Sequence, residues 1–206
     1  MAKNIRVDDE YTNRARKEGY LARSIYKLQQ INEKYTLFDN ETKRILDIWC
    51  APGSWLQFAH EQLANNPDIP EEEKILIWFD IKDILYSGIY ARTYQQDITD
   101  RVWVKQVFEE LGIPQLDCII SDMAPDTMWR ADIDALRSVG LIEKTLWIYE
   151  DFLKEWGKFA IKVFMWPGFE ELVRELKDIY GNSAIVTYKP KACRKQSKET
   201  FIIKRS

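Results

Sequence analysis

The stretch Ile45-Leu-Asp-Ile-Trp-Cys-Ala-Pro-Gly-Ser-Trp-Leu-Gln57 decides the architecture. An apolar run, a tight turn holding Pro52 and Gly53, and an apolar segment at helical spacing read as strand, turn and helix. In an open α/β sheet such a unit binds nucleotide-like ligands outside the carboxyl end of its strand, because a small turn lets backbone amides approach the ligand. By the same logic an acid ending the second strand holds ribose hydroxyls. Asp80, closing Ile75-Leu-Ile-Trp-Phe-Asp80, is that acid. It lies 27 positions beyond Gly53, somewhat more than the roughly 20 of the dinucleotide pattern. The exposed loop Asn65–Glu73 (NNPDIPEEE) absorbs the excess.

Outward from this unit, short apolar runs alternate with helical stretches. Strand candidates are Arg44–Trp49, Lys74–Phe79, a weak one at Ala91–Gln95, Asp117–Ser121, Lys158–Phe164, Ala184–Tyr188 and Thr200–Lys204. Helical candidates between them are Ser54–Ala64, Asp100–Leu111, Asp132–Lys154 and Gly168–Tyr180. This alternation favours right-handed crossovers and a largely parallel sheet. The last two strands lack an intervening helix, so they form a hairpin at one edge and make the sheet mixed. Upstream, Ala15, Leu21, Ala22, Ile25, Leu28 and Ile31 recur at helical spacing, which reads as an amphipathic helix or helix pair broken near Gly19. The expectation is one α/β three-layer domain over residues 1–206 with a mixed seven-stranded sheet. Residues 1–43 form a helical extension and 44–206 the core.

Composition narrows the chemistry. No apolar run approaches the roughly 20 residues of a membrane helix, and the start MAKNIRVDDEY lacks the apolar stretch of a signal peptide, so a cytoplasmic protein is expected. Cys50, Cys118 and Cys193 are odd in number and far apart, which builds neither a disulfide framework nor a CxxC site. His60 is the only histidine, so His-based triads and His-rich metal sites lose support. Proton transfer falls to Lys, Asp, Glu or Tyr. The net charge is −3, but it is unevenly spread: residues 1–44 carry 10 Lys/Arg against 7 Asp/Glu, residues 186–206 carry 7 against 1, and the remainder 13 against 25. A basic face built from the two ends could hold phosphates beside an acidic body.

Asp47-x-x-Cys-Ala-Pro-Gly-Ser-Trp55 resembles the first motif of the FtsJ/RrmJ-type methyltransferases, whose usual form is D-L-G-x-A-P-G-G-W. The resemblance implies a Rossmann-like methyltransferase sandwich and S-adenosyl-L-methionine as cofactor, with contacts from Gly53, Trp55, Asp80, Asp97 and Asp122. Four further motifs agree. Ser121-Asp122-Met-Ala-Pro-Asp126 is similar to S-D-M-A-P-N, Phe159-Ala-Ile-Lys162-Val-Phe to F-V-x-K-V-F, and Ser197-Lys-Glu199-Thr-Phe to S-R-E-x-Y. Arg23-Ser-Ile-Tyr-Lys27-Leu matches the latter part of R-S-R-x-x-(F/Y)-K-L. The similarity runs from about Arg16 to Lys204, nearly the whole chain.

Methylating a ribose hydroxyl needs in-line attack by an alcohol oxygen and removal of its proton. A desolvated lysine held near other cations can take that proton while a carboxylate orients it. A lysine inside an apolar strand is costly without a partner, which singles out Lys162 as the general base. The resemblance implies a catalytic tetrad of Lys27, Asp122, Lys162 and Glu199. It also implies a uridine of 23S ribosomal RNA as target, within the large ribosomal subunit, and a monomeric enzyme needing neither metal nor membrane. Transfer RNA or a messenger cap as substrate, or an inactive RNA-binding or ribosome-assembly protein, are the alternatives. A nicotinamide dehydrogenase is disfavoured because the turn lacks GxGxxG.

Trp49, Trp78, Trp129, Trp156 and Trp166 stand where the family carries glycine. Trp49 occupies the close-approach position of the turn, Trp129 and Trp166 fall in expected turns, and Trp156 precedes Gly157 at an expected helix C-cap. Trp78 is less telling, since aromatics suit strands. Because UGA differs in meaning among genetic codes, the pattern reads as UGA-encoded glycine rendered as tryptophan.

Overall fold

The computed structural model describes residues 10–49, 52–81, 88–125, 130–165 and 167–206. Seven strands form one mixed sheet of order β3-β2-β1-β4-β5-β7-β6. Its centre is β1 (Arg44–Ile48), β2 (Ile75–Asp80), β4 (Leu116–Ser121) and β5 (Leu153–Phe164), all parallel, with β3 (Ala91–Gln95) parallel at one edge. The central strands are nearly continuous in Ile, Leu, Val and Phe because both faces of a parallel sheet are covered. β6 (Ile185–Tyr188) and β7 (Glu199–Lys204) pair antiparallel as expected, but β7 inserts beside β5 and leaves β6 at the edge.

Successive side chains of a strand point to opposite faces, so each strand feeds two cores. On one face Ile45, Ala160, Phe201 and Ile203 pack with α1 (Glu10–Glu18), α2 (Ile25–Tyr35) and α3 (Ser54–Ala64). On the other, Leu46, Ile48, Ile119 and Ile161 pack with α4 (Arg101–Glu110), α5 (Ala131–Glu143), α6 (Leu146–Phe152) and α7 (Phe169–Tyr180). The break between α1 and α2 falls where Gly19 adopts φ 82°. Asn65–Glu73 is a loop, apart from a short 3-10 turn over Glu71–Glu73.

Two expectations need correction. The single helix read over Asp132–Lys154 is α5 and α6, separated at Thr145, whose buried hydroxyl donates to the Ile142 carbonyl at 2.8 Å and competes with the helical ladder. Strand β5 therefore begins at Leu153, five residues earlier than the apolar pattern suggested, and its register against β4 shifts between Leu116 and Cys118. Trp156 and Gly157 lie inside this irregular strand, not at a helix C-cap. Gly157 is needed for another reason: a Cβ there would stand 2.7 Å from Leu153 Cδ1 and 2.9 Å from the Lys154 carbonyl oxygen.

Candidate functional site

The carboxyl ends of β1, β2, β4 and β5 lie along one edge of the sheet, and antiparallel β7 begins there, with Glu199 opposite Phe164. Lys162 and Glu199 point to the α1–α3 face, sharing the parity of Ala160 and Phe201. Helix α2 runs across that face and brings Lys27 to them. Lys27 Nζ donates to Glu199 Oε2 at 2.6 Å and lies 4.0 Å from Asp122 Oδ1. Lys162 Nζ stands 2.9 Å from the same Asp122 oxygen, while its hydrogen bond is directed at the Asp122 carbonyl. Four side chains that span 172 positions of sequence thus form one linked ion cluster of alternating sign. Lys162 and Glu199 are buried.

The charges hold one another. Burial alone would raise Asp122, but the ammoniums of Lys162 and Lys27 outweigh it and keep the carboxyl below its usual value. Burial opposes the charge of Lys27, but Asp122 and Glu199 outweigh it and raise that lysine. Asp122 is therefore a carboxylate and Lys27 an ammonium at neutral pH.

Beside this cluster lies the turn after β1. Gly53 takes φ 108° and leads into α3. The first N–H groups of a helix have no acceptor of their own, which leaves amides of α3 facing the turn. Trp55 is 1% exposed; its indole N–H donates to the Ser24 carbonyl at 2.9 Å and its ring stacks on Phe201 at 5.8 Å. Its side chain is thus core, and only its backbone stands at the turn. Asp80 ends β2 as expected and is buried. The Asp80 carbonyl accepts from Gln96 N–H at 3.0 Å, which sets Asp97 near the same strand end. Asp97 is exposed, and its Oδ1 accepts from Thr99 N–H at 2.9 Å and from the Thr99 hydroxyl at 2.8 Å.

One residue of this neighbourhood does not stand out as a site residue in the sequence. Asp47, near the end of β1, is fully buried, and neither carboxylate oxygen has a hydrogen-bond partner among the described residues. Burial, then the nearby carboxylates of Asp122 and Asp80, push it well above the usual carboxylate range. A signal for it exists: an acid inside the run Ile45-Leu-Asp-Ile48 is costly unless it meets a cation or a ligand. An unpartnered buried acid, a second acid ending β2 and a helix N-terminus together suit a ligand carrying a cation, a diol and a carboxylate.

The tryptophans at expected glycine positions differ among themselves. Trp49 adopts φ 63° with its N–H donating to the Phe79 carbonyl at 2.9 Å, a conformation that favours glycine. Trp78 is 1% exposed and packed in the core, although its indole N–H has no hydrogen-bond partner among the described residues. Trp156 is 66% exposed in β5. Trp129, Trp166 and Asp126 lie outside the described residues, as do Cys50 and Ala51 of the turn motif. Among the described residues, Cys118 and Cys193 are free buried thiols, and no group of three or more His, Cys, Asp or Glu is placed to hold a metal ion. No described helix is long and apolar enough to cross a membrane.

Comparison with known proteins agrees with this geometry. The model of the FtsJ-like methyltransferase family matches residues 20–206. A "Ribosomal RNA large subunit methyltransferase E" from Methanothrix thermoacetophila is 36% identical over 95% of this chain and 71% of its own length. One of the same name from Desulfosudis oleivorans is 34% identical over 98% of this chain and 91% of its own. Among solved structures, a protein from Plasmodium falciparum described as a ribosomal RNA methyltransferase shares the fold with a TM-score of 0.75 at 24% identity, covering 91% of this chain and 98% of that one. With the strand order, the turn after β1 and the match over nearly all of its length in agreement, the chain belongs to the FtsJ-like methyltransferase family.

Proposed function

We propose that this methyltransferase moves the methyl group of S-adenosyl-L-methionine to a ribose 2'-hydroxyl, that of a uridine in 23S ribosomal RNA of the large ribosomal subunit. The observation that carries the reading is the linked cluster of Lys162, Asp122, Lys27 and Glu199 at the carboxyl edge of the sheet. S-adenosyl-L-methionine, when bound, supplies an electrophilic methyl on a sulfonium centre. The residues present fit it. Asp122 offers negative charge to its cationic part, Asp47 a buried carboxyl that such a cation would draw into its charged form, Asp80 a carboxylate to its ribose hydroxyls, and Gly53 with the amides of Ser54 and Trp55 an approach for its carboxylate. Asp97 extends the acidic rim beyond β3.

Lys162 is the general base. After its ammonium has given up a proton to solvent, the neutral Nζ accepts the hydroxyl proton, and Asp122 fixes where that nitrogen sits. Lys27 remains an ammonium between Asp122 and Glu199, so its positive charge faces the oxygen that becomes negative as the proton leaves. Glu199 anchors Lys27 and carries the strand that borders the substrate. Most of the rate enhancement then lies in positioning, since little covalent chemistry is left to the protein. The relatives named for large-subunit ribosomal RNA favour that substrate over transfer RNA or a messenger cap. The enzyme acts in the cytoplasm as a monomer.

Lys162→Ala is expected to lose methyl transfer, by at least about 10²-fold, while cofactor affinity stays within a few-fold of the parent. Ribosomal particles, free ribosomal RNA and transfer RNA offered in parallel, with the methylated nucleoside identified from each, test reaction and substrate together. Normal turnover by Lys162→Ala overturns the base assignment, and product only from transfer RNA overturns the substrate.

A further inference from the structure

The ten residues between β6 and β7 contain five cations, Lys189, Lys191, Arg194, Lys195 and Lys198, and no acid. All five are exposed. A charge run of this kind is ordinarily a mobile, solvated loop, but this one is fixed at both ends and in the middle. Lys189 Nζ donates across it to the Ser197 carbonyl at 2.5 Å, and turns close through Cys193 N–H to the Pro190 carbonyl and Ser197 N–H to the Arg194 carbonyl, each at 3.0 Å. Its centre is docked on α2 and on Arg23 just before it. Ala192 N–H donates to Gln30 Oε1 at 3.0 Å, and Arg23 Nη2 donates to the Ala192 carbonyl at 2.5 Å.

This docking sets cations side by side. The guanidinium of Arg23 is drawn down by burial and by Arg194 nearby, partly offset by Glu199, and it also lies 5.4 Å over the ring of Tyr11. Holding like charges together costs energy in the free protein and returns it when a polyanion arrives. The arm ends at Glu199, so what it grips lies next to the reacting ribose. A fixed row of exposed cations fits the regular spacing of phosphates along a nucleic-acid backbone.

We propose that residues 189–198, together with Arg23, form an arm that holds the phosphodiester backbone flanking the methylated nucleotide, with Arg194 and Lys195 as its principal phosphate ligands. The inference rests on the RNA-methyltransferase reading but is tested by binding, which needs no turnover. A fluorescent large-subunit ribosomal RNA transcript is titrated by anisotropy at several salt concentrations with the parent, with Arg194→Ala/Lys195→Ala, and with Arg174→Ala/Lys177→Ala. The last pair removes the same charge from α7 on the opposite face. The arm variant should bind several-fold more weakly and lower the slope of log K against log salt by about 2, one for each phosphate left without its cation. In turnover assays its KM for RNA should rise while kcat at saturating RNA stays within about two-fold, as expected for uniform binding energy. The α7 variant should match the parent. An unchanged salt slope in the arm variant, or an equal change in the α7 variant, overturns the arm while leaving the methyltransferase reading intact. A lowered slope in the arm variant, with a parent protein that methylates no RNA, does the reverse.

Discussion

At Asp47 the sheet buries a carboxyl group completely, and neither oxygen has a hydrogen-bond partner among the described residues. Its folded-state value is raised, so it binds a proton more readily folded than unfolded. Stability is therefore lost as pH rises above the unfolded carboxyl value of about 4. Asp47→Asn removes that loss: thermal melts of the free protein should show a higher Tm at pH 7 than the parent and a smaller gain at pH 4. Calorimetric titration should show weaker S-adenosyl-L-methionine binding by the same variant. A lower Tm at pH 7 with unchanged affinity would mean that the buried acid serves neither purpose. Trp49 poses the opposite case, a bulky residue at φ 63°. A single L residue held there is strained by roughly 1–2 kcal/mol, only partly offset by the packing of a half-buried indole. Trp49→Gly should therefore bind S-adenosyl-L-methionine more tightly than the tryptophan-bearing chain, and a peptide mass from the native protein should report glycine at position 49. Tryptophan in that peptide, with no gain in affinity, removes the recoding reading. The tetrad is legible in the sequence because its members sit in four motifs; Asp47 is easily passed over because a motif acid reads as part of a turn. That the indole of Trp55 packs in the core is not legible in the sequence, which does not say which part of a residue faces a site.

Elements follow their local chemistry most closely where the chain is regular. Helix α4 starts at Asp100, whose side chain accepts from Trp103 N–H at 3.1 Å, satisfying one of the N–H groups that a helix start leaves open. Asp100→Ala should cost about 1 kcal/mol, a fall in Tm of about 2–4 °C for a chain of this size, with cofactor affinity unaltered. A melt that does not move would mean that tertiary packing alone sets this helix. All seven strands are legible in the sequence, including weak β3, because apolar runs bounded by turn residues mark buried strands. The division of α5 from α6 is not, because it depends on a threonine hydroxyl finding a carbonyl in a buried setting. The early start of β5 is hidden as well. Lys154, Glu155 and Trp156 carry no strand alternation, and they fall in the irregular stretch between the Leu116–Leu153 and Cys118–Lys158 pairs.

Across the whole molecule, the N-terminal helices are structural partners of the sheet and not an appendage. Ile25, Leu28 and Ile31 of α2 are fully buried against α3 and the sheet, Ser24 accepts from the Trp55 indole, and the hydroxyls of Ser24 and Ser54 lie 2.8 Å apart. Lys158, four residues before Lys162 on the same strand, donates to the Thr36 carbonyl at 2.7 Å and to Asp39 at 2.6 Å, so the extension is tied to the sheet beyond α2 as well as along it. Removing residues 1–43 would expose that apolar face and leave Lys158 without its carboxylate partner. It would also strip Lys27 from Asp122 and Glu199. Each fully buried aliphatic side chain returned to water costs about 1.5–3 kcal/mol, so three from α2 alone cost about as much as a typical domain's lower stability limit of about 5 kcal/mol. The full chain should then unfold in a single transition with coincident circular dichroism and tryptophan fluorescence. Residues 44–206 produced alone should lack a cooperative melt and bind the fluorescent probes of exposed apolar surface. A cooperative melt from that fragment would show that the extension is added to an already stable core, and Lys27 would then be a residue delivered to the site rather than one built into the fold.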